Sequence, residues 1–207
     1  MSEALIDDLV TPDVVSSEVV FAGLVWDIKR EEFRLAGSSL TREFTAHPGA
    51  VAVLAIDERD RVLLIKQYRH PLRAREWELP AGLLDVAHES PLAAAQREFA
   101  EEADFVADTW HLLSEFMLSP GGSNEAVRVY LARRITASRE VFSRTDEEAG
   151  LELRWVDLDE IVDAVLARTV QNSILIIAIL AAQAARARGW QTLAPPETPW
   201  LRHPSSR

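Results

Sequence analysis

No cysteine occurs among the 207 residues. That excludes a disulfide framework, a zinc site built on thiolates and any thiol nucleophile. Basic residues are few: 22 Lys and Arg against 33 Asp and Glu leave a formal net charge of −11. Nonspecific nucleic-acid binding relies on basic surface that neutralises phosphates, so this balance argues against it. An anionic ligand would have to meet local arginines or a metal ion. Residues 1–12 hold three acids and no basic residue, unlike a secretory signal, which opens basic and continues apolar. The most apolar run, Val170 to Ala185, contains Gln171, Asn172, Ser173 and Gln183 and is short for a membrane span. It reads as a packed helix. There is no internal repeat and no basic helix-turn-helix segment.

What is present fits an intracellular, cytoplasmic globular enzyme, since 48% hydrophobic content over this length can bury one substantial core with a small accessory unit. Alternation over Val19–Leu35 and Ser39–Thr45 suggests an N-terminal antiparallel sheet, taken as residues 1–46. Val51–Ile56 and Val62–Gln67, rich in branched residues around the polar Asp57–Arg61 turn, suggest a hairpin. Further strands are expected at Trp110–Leu118, Val127–Ala132 and Leu153–Val156. Two helices should follow, the first capped by Asp157 and the second spanning Val170–Arg188. Strands with helices on both sides give an α/β/α sandwich with mixed sheets over 47–190. In 191–207, Pro195, Pro196, Pro199 and Pro204 forbid a regular helix, so the tail should be irregular.

The chemistry concentrates around one helix. Ser90 can cap it, Pro91 suits its first position, and Leu92, Ala95, Phe99 and Ala103 recur at helical spacing as a core stripe. At about 100° per residue, Glu98, Glu101 and Glu102 cluster on an adjoining face, with Glu102 nearest the stripe. Like charges at such spacing destabilise a helix by a few tenths of a kcal/mol, and acids in its last turn oppose the macrodipole. Arg97 offsets part of this, but one arginine cannot neutralise Glu89, Glu98, Glu101, Glu102 and Asp104. A hard dication that takes carboxylate oxygens would relieve the repulsion. A solvated acidic face is the alternative.

The segment Gly82 to Phe105 resembles the box of the Nudix hydrolases, Gly-x5-Glu-x7-Arg-Glu-(apolar)-x-Glu-Glu-x-Gly-(apolar). It matches at Gly82, Glu89, Arg97, Glu98, Phe99, Glu101, Glu102 and Phe105, eight positions over 24 residues. It departs twice: six residues separate Gly82 from Glu89, and Asp104 takes the second glycine position. Loops tolerate added length, and Asp adopts left-handed backbone better than most residues. Outside the box, Trp77-Glu-Leu-Pro-Ala-Gly82, Ser119-Pro120-Gly121-Gly122-Ser123-Asn124-Glu125, Gln67-Tyr68-Arg69-His70 and Thr41-Arg42-Glu43 are similar to the ADP-ribose pyrophosphatase branch.

That resemblance implies Mg²⁺, or Mn²⁺ in its place, held by Glu98, Glu101, Glu102 and the carbonyl of Ala81. Glu98 and Glu102 would be the principal catalytic glutamates, and Arg97 with Glu89 a structural ion pair. Arg42 and Arg69 would grip phosphate or terminal ribose, with Glu125 also on the substrate side. The base that accepts a proton from water would lie in Thr145–Gly150, as Glu148 or, failing that, Glu147. Trp26 would either stack on adenine or pack within its own sheet. The branch further implies a homodimer with exchanged N-terminal sheets and hydrolysis of ADP-ribose to AMP and ribose 5-phosphate. Two alternatives stand beside it: another nucleoside diphosphate derivative such as GDP-mannose or NADH, and a catalytically silent ligand sensor.

Overall fold

The computed structural model describes residues 5–140, 142 and 150–203. Two compact units emerge, one running to His47 and taking in Ser119–Asn124, the other formed by Pro48–Leu118 and the chain from Glu125 onward.

In the first unit, β1 (Asp13–Phe21), β2 (Asp27–Leu35) and β3 (Ser38–Ala46) form an antiparallel sheet in that order. The stretch read as Val19–Leu35 is divided at residues 22–26, and β1 begins earlier, at Asp13. All nine residues of β1 are exposed, so no buried face marks its polar start in the sequence. A two-residue turn, Ala36-Gly37, joins β2 to β3 with positive φ at both positions, as a twisted hairpin requires. His47 ties this unit together. Its backbone N–H donates to Asn124 Oδ1 at 2.7 Å, and its ring stacks on Trp26 with centroids 4.3 Å apart. Burial lowers the His47 pKa to about 4, which leaves a neutral ring against the indole at neutral pH.

The second unit contains two sheets. β7 (Ala81–Leu83), β4 (Ala50–Ala55), β9 (Ala126–Ala137) and β8 (Phe105–Met117) pair in that order, and β10 (Glu152–Asp157), β5 (Arg61–Arg69) and β6 (Ala74–Glu78) in another. Helices α1 (Pro91–Ala103), α2 (Leu158–Leu166) and α3 (Ser173–Ala187) cover them. Every residue of β4 is buried, because its two faces feed different cores. Ala52 and Leu54 join Val129 and Leu131 against Leu175, Ala178 and Ile179 of α3. Val51 and Val53 join Tyr130 and Ala132 against Ala94, Ala95 and Phe99 of α1. The α/β/α sandwich expected from the sequence is therefore the architecture found.

Three local expectations need correction. Val51–Ile56 and Val62–Gln67 do not form a hairpin: β4 and β5 lie in different sheets, with an isolated bridge from Ile56 to Val62 at the turn between them. A strand buried on both faces reads the same whichever neighbour it takes, and β4 takes the distant β9, in parallel, on one side. Asp157 occupies the N-cap of α2, but its side chain makes no capping bond. Helix α3 starts at Ser173 rather than Val170, where the Asn172 side chain accepts from Leu175 N–H at 3.0 Å. The tail is irregular but docked: Ala194 pairs with Leu112, and buried Trp200 stacks on Arg128 at 4.7 Å. No helix among the described residues is long and apolar enough to cross a membrane.

Phe99 is fully buried between Phe105 and Trp110 and anchors α1 to the sheet. Phe99→Ala should cost about 3–5 kcal/mol in urea unfolding, as truncation of a packed aromatic leaves a cavity. A loss below about 1 kcal/mol would mean that α1 is anchored elsewhere.

Candidate active site

Helix α1 is fixed at both ends by local chemistry. The Ser90 side chain accepts from Ala93 N–H at 3.2 Å, Pro91 opens the first turn, and Asp104 ends it in left-handed geometry at φ 57°. With the apolar face locked by Phe99, the acidic face is presented at a set angle.

Arg97 sits at its centre. Its guanidinium donates to both oxygens of Glu89 at 3.0 and 2.9 Å, to Glu98 Oε1 at 2.7 Å and to Glu101 Oε2 at 3.1 Å. The Glu89 bonds staple the loop ahead of α1 to the helix. Hydrogen bonding from Arg97 holds the Glu89 carboxyl below its ordinary range, and hydrogen bonding from Glu89 raises Arg97. Buried Glu102 turns the other way and accepts from Ala81 N–H at 2.8 Å, which binds α1 to the short strand β7. A Cβ at Gly82 would collide with the Glu98 side chain, which occupies the space that the glycine leaves open.

These groups face a cleft of about 450 Å³ lined by Ala81, Gly82, Glu98, Glu101, Glu102 and, from β5, Gln67 and Arg69. Asp85 also lines it. The residues proposed from the sequence as metal ligands thus share one cleft with Arg69. Glu125, half-buried just ahead of β9 with its pKa raised by burial, is not among the lining residues. Arg42 on β3 and Trp26 belong to the first unit. Glu148 and Glu147 lie outside the described residues. A larger cavity of about 810 Å³ lies under the tail, between Trp200 and the loop around His88. It lacks Glu98, Glu101 and Glu102, and its buried Arg128 is matched by Glu115. The chemistry therefore favours the smaller cleft.

Glu78, Gln67 and Asp85 carry no individual role in the sequence reading, although Gln67 and Glu78 fall within segments similar to the branch. Gln67 and Arg69 interrupt an apolar strand at i and i+2, which places both on one face and was the available signal. Glu78 lies between apolar Trp77 and Leu79 and is buried, with both of its oxygens accepting from Arg69.

Hard oxygen donors from three carboxylates lining one cleft suit a small divalent cation. Among the described residues, no three His, Asp or Glu side chains converge as a formed metal cage. Arg97 draws Glu98 and Glu101 toward itself, and Glu102 is engaged by Ala81. By residue type, and by the cleft they share, these donors suit such an ion.

A family model described as the NUDIX domain matches residues 46–176. The chain belongs to the Nudix hydrolase family. It is 39% identical over 198 residues to the ADP-ribose pyrophosphatase of Mycobacterium tuberculosis, covering 94% of this chain and 93% of that one. It is 34% identical over 166 residues to the ADP-ribose pyrophosphatase of Bacillus subtilis, covering 80% of this chain and 89% of the relative. Among solved structures, an ADP compounds hydrolase superposes with a TM-score of 0.72 at 18% identity, over 89% of this chain and 99% of that one, and so shares the fold. Nudix hydrolases in general need a divalent metal ion, and α1 with its preceding loop is the Nudix box of this enzyme.

The Arg97 cluster makes a pH-dependent prediction. Because Glu89 is lowered in the fold, its contribution is fully present above its unfolded value near pH 4.3 and fades as pH falls through the lower folded value. Arg97→Met should cost about 1–3 kcal/mol at pH 7. In urea titrations at a series of pH values, the difference from the parent should shrink below about pH 4. A pH-independent difference would show that Arg97 acts through packing alone.

Proposed function

We propose that this Nudix hydrolase cleaves the pyrophosphate of ADP-ribose in the presence of Mg²⁺, giving AMP and ribose 5-phosphate. The observation that carries the reaction type is the single cleft in which the box glutamates face Arg69. The choice of ADP-ribose rests on the two relatives of that name, which match along most of the chain.

In this reading Glu98, Glu101, Glu102 and the Ala81 carbonyl hold Mg²⁺, for which Mn²⁺ can substitute. When bound, the ion neutralises the diphosphate and lowers the pKa of water. Arg69 grips the diphosphate through the paired donors of its guanidinium. Water oxygen forms a bond to phosphorus as the anhydride P–O bond breaks. Glu148 accepts the water proton, with Glu147 as the alternative base. The leaving phosphate carries away the electron pair. Positioning and charge stabilisation supply most of the rate, as expected for phosphoryl transfer.

The N-terminal unit completes the proposal as the dimerisation unit of a homodimer with exchanged sheets, in which Arg42 and Trp26 contribute to substrate recognition and Glu125 supports the substrate side. Val14, Val15, Val19, Val20 and Phe21 are all exposed on β1, apolar side chains shared between the two faces of the strand, and a second copy would cover those on the face it packs against. A cytoplasmic setting, where nucleotide derivatives are made and consumed, belongs to the same reading.

Purified protein with Mg²⁺ should show its highest kcat/KM for ADP-ribose in a panel that includes GDP-mannose and NADH. A preference for a nucleotide sugar would overturn the substrate assignment. Glu102→Gln should lower kcat about a hundredfold or more while retaining the fold, because an amide is a weaker ligand for a hard cation. Undiminished turnover would remove Glu102 from the site.

Sedimentation at micromolar concentration should give twice the 23.1 kDa chain mass. The double variant Val19→Glu, Phe21→Glu should sediment as a monomer with reduced kcat/KM. A monomeric parent would end the dimer proposal.

A further inference from the structure

The hairpin β5–β6 places Gln67, Arg69 and Glu78 side by side, and their bonding is unusual for a site that must receive an anion. Glu78 lies opposite Ile65, two residues before Gln67 and four before Arg69, so all three side chains project from one face of the hairpin. The Glu78 side chain is 5% exposed, whereas that of Arg69 is 42% exposed and lines the cleft. Arg69 Nε donates to Glu78 Oε1 at 2.9 Å and Nη2 to Oε2 at 2.6 Å, a two-point pair that fixes the plane of the guanidinium. Gln67 Nε2 donates to Glu78 Oε2 at 3.2 Å from the buried side.

A buried carboxylate is costly to desolvate, and here it also places negative charge beside a cleft proposed to receive a diphosphate. Electrostatics alone would disfavour it, since Glu78 cancels the charge with which Arg69 would attract the substrate. Orientation is what the pair offers instead. A free arginine side chain has many rotamers, and locking one edge of its planar fork removes that freedom before substrate arrives.

We propose that Glu78, supported by Gln67, is a positioning residue that pre-orients Arg69 for the substrate diphosphate. This rests on the reading that Arg69 grips the substrate. Charge and orientation make opposite demands of one variant. Glu78→Gln removes the negative charge and weakens the two-point grip. If Glu78 mattered only through its charge, the variant would bind the anionic substrate more tightly.

The test compares steady-state kinetics with ADP-ribose and Mg²⁺ for the parent, Glu78→Gln, Arg69→Ala and the double variant. Thermal melting would check the fold in each. Glu78→Gln should raise KM about tenfold with kcat changed less than about threefold. In the Arg69→Ala background the same substitution should change KM by less than about twofold, because its effect runs through Arg69. A lowered or unchanged KM for Glu78→Gln, or an equal effect in both backgrounds, overturns the inference. An unchanged KM for Arg69→Ala instead overturns the reading of Arg69 as a substrate contact. Should Glu78→Gln fail to fold, Gln67→Leu provides the second variant. It leaves the ion pair whole but removes its buried support, and should raise KM by about threefold in the parent and not in Arg69→Ala. An equal rise in both backgrounds overturns the inference again.

Discussion

Arg97 holds Glu89, Glu98 and Glu101 within 3.1 Å of one guanidinium, and that cluster joins the acidic face of α1 to the loop ahead of it. Acids repel one another on a helix face, and the isolated sequence offers them every reason to splay apart. What prevents this is a division of labour. Phe99 and the small alanines bury the opposite face of α1, Ser90 and Asp104 fix its ends, and Glu89 brings the preceding loop to the same arginine. The cluster is only partly exposed, so solvent screens it less than a surface pair.

A second constraint comes from backbone approach. Glu102 reaches β7 through the Ala81 N–H, and Gly82 leaves the space that Glu98 fills. These contacts set the glutamates against a strand that pairs with the fully buried β4. The acidic wall of the cleft therefore inherits its rigidity from the centre of the sandwich. Across the cleft, Arg69 stands on β5, in the other sheet, held by Glu78. A charged group on either side is thus constrained by a partner: Arg97 by three glutamates, Arg69 by one.

The box was legible in the sequence because its chemistry is local. Helix capping, the apolar stripe and the crowding of acids all occur within residues 82–105, so periodicity and residue type were sufficient to place them. The ion pair from Arg97 to Glu89 and a left-handed residue at Asp104 came instead from the resemblance to the Nudix box, and both are present in the structure. The failures lie where the partner is distant in sequence. Val51–Ile56 has the composition of a buried strand but contains nothing that selects β9 over β5 as a neighbour. The start of β1 was missed because a strand exposed on both faces carries no apolar alternation. Glu78 had no role of its own in the sequence until the hairpin register placed it beside Arg69, and Asn172 displaced the start of α3 because an N-cap bond can override an apolar run.

By itself, the sequence determined where the acids lie on α1, that the core is divided between strands and helices, and that no thiol chemistry is available. Each of these depends on residue type or on spacings of a few residues. Only the tertiary structure decided that β4 and β5 part into separate sheets, that the proline-rich tail docks through Trp200, and that Arg69 shares a cleft with the box glutamates behind a buried carboxylate. The physical reason is that burial and long-range pairing are properties of the whole packing, in which a strand's two faces and a charge's desolvation are settled by neighbours far along the chain.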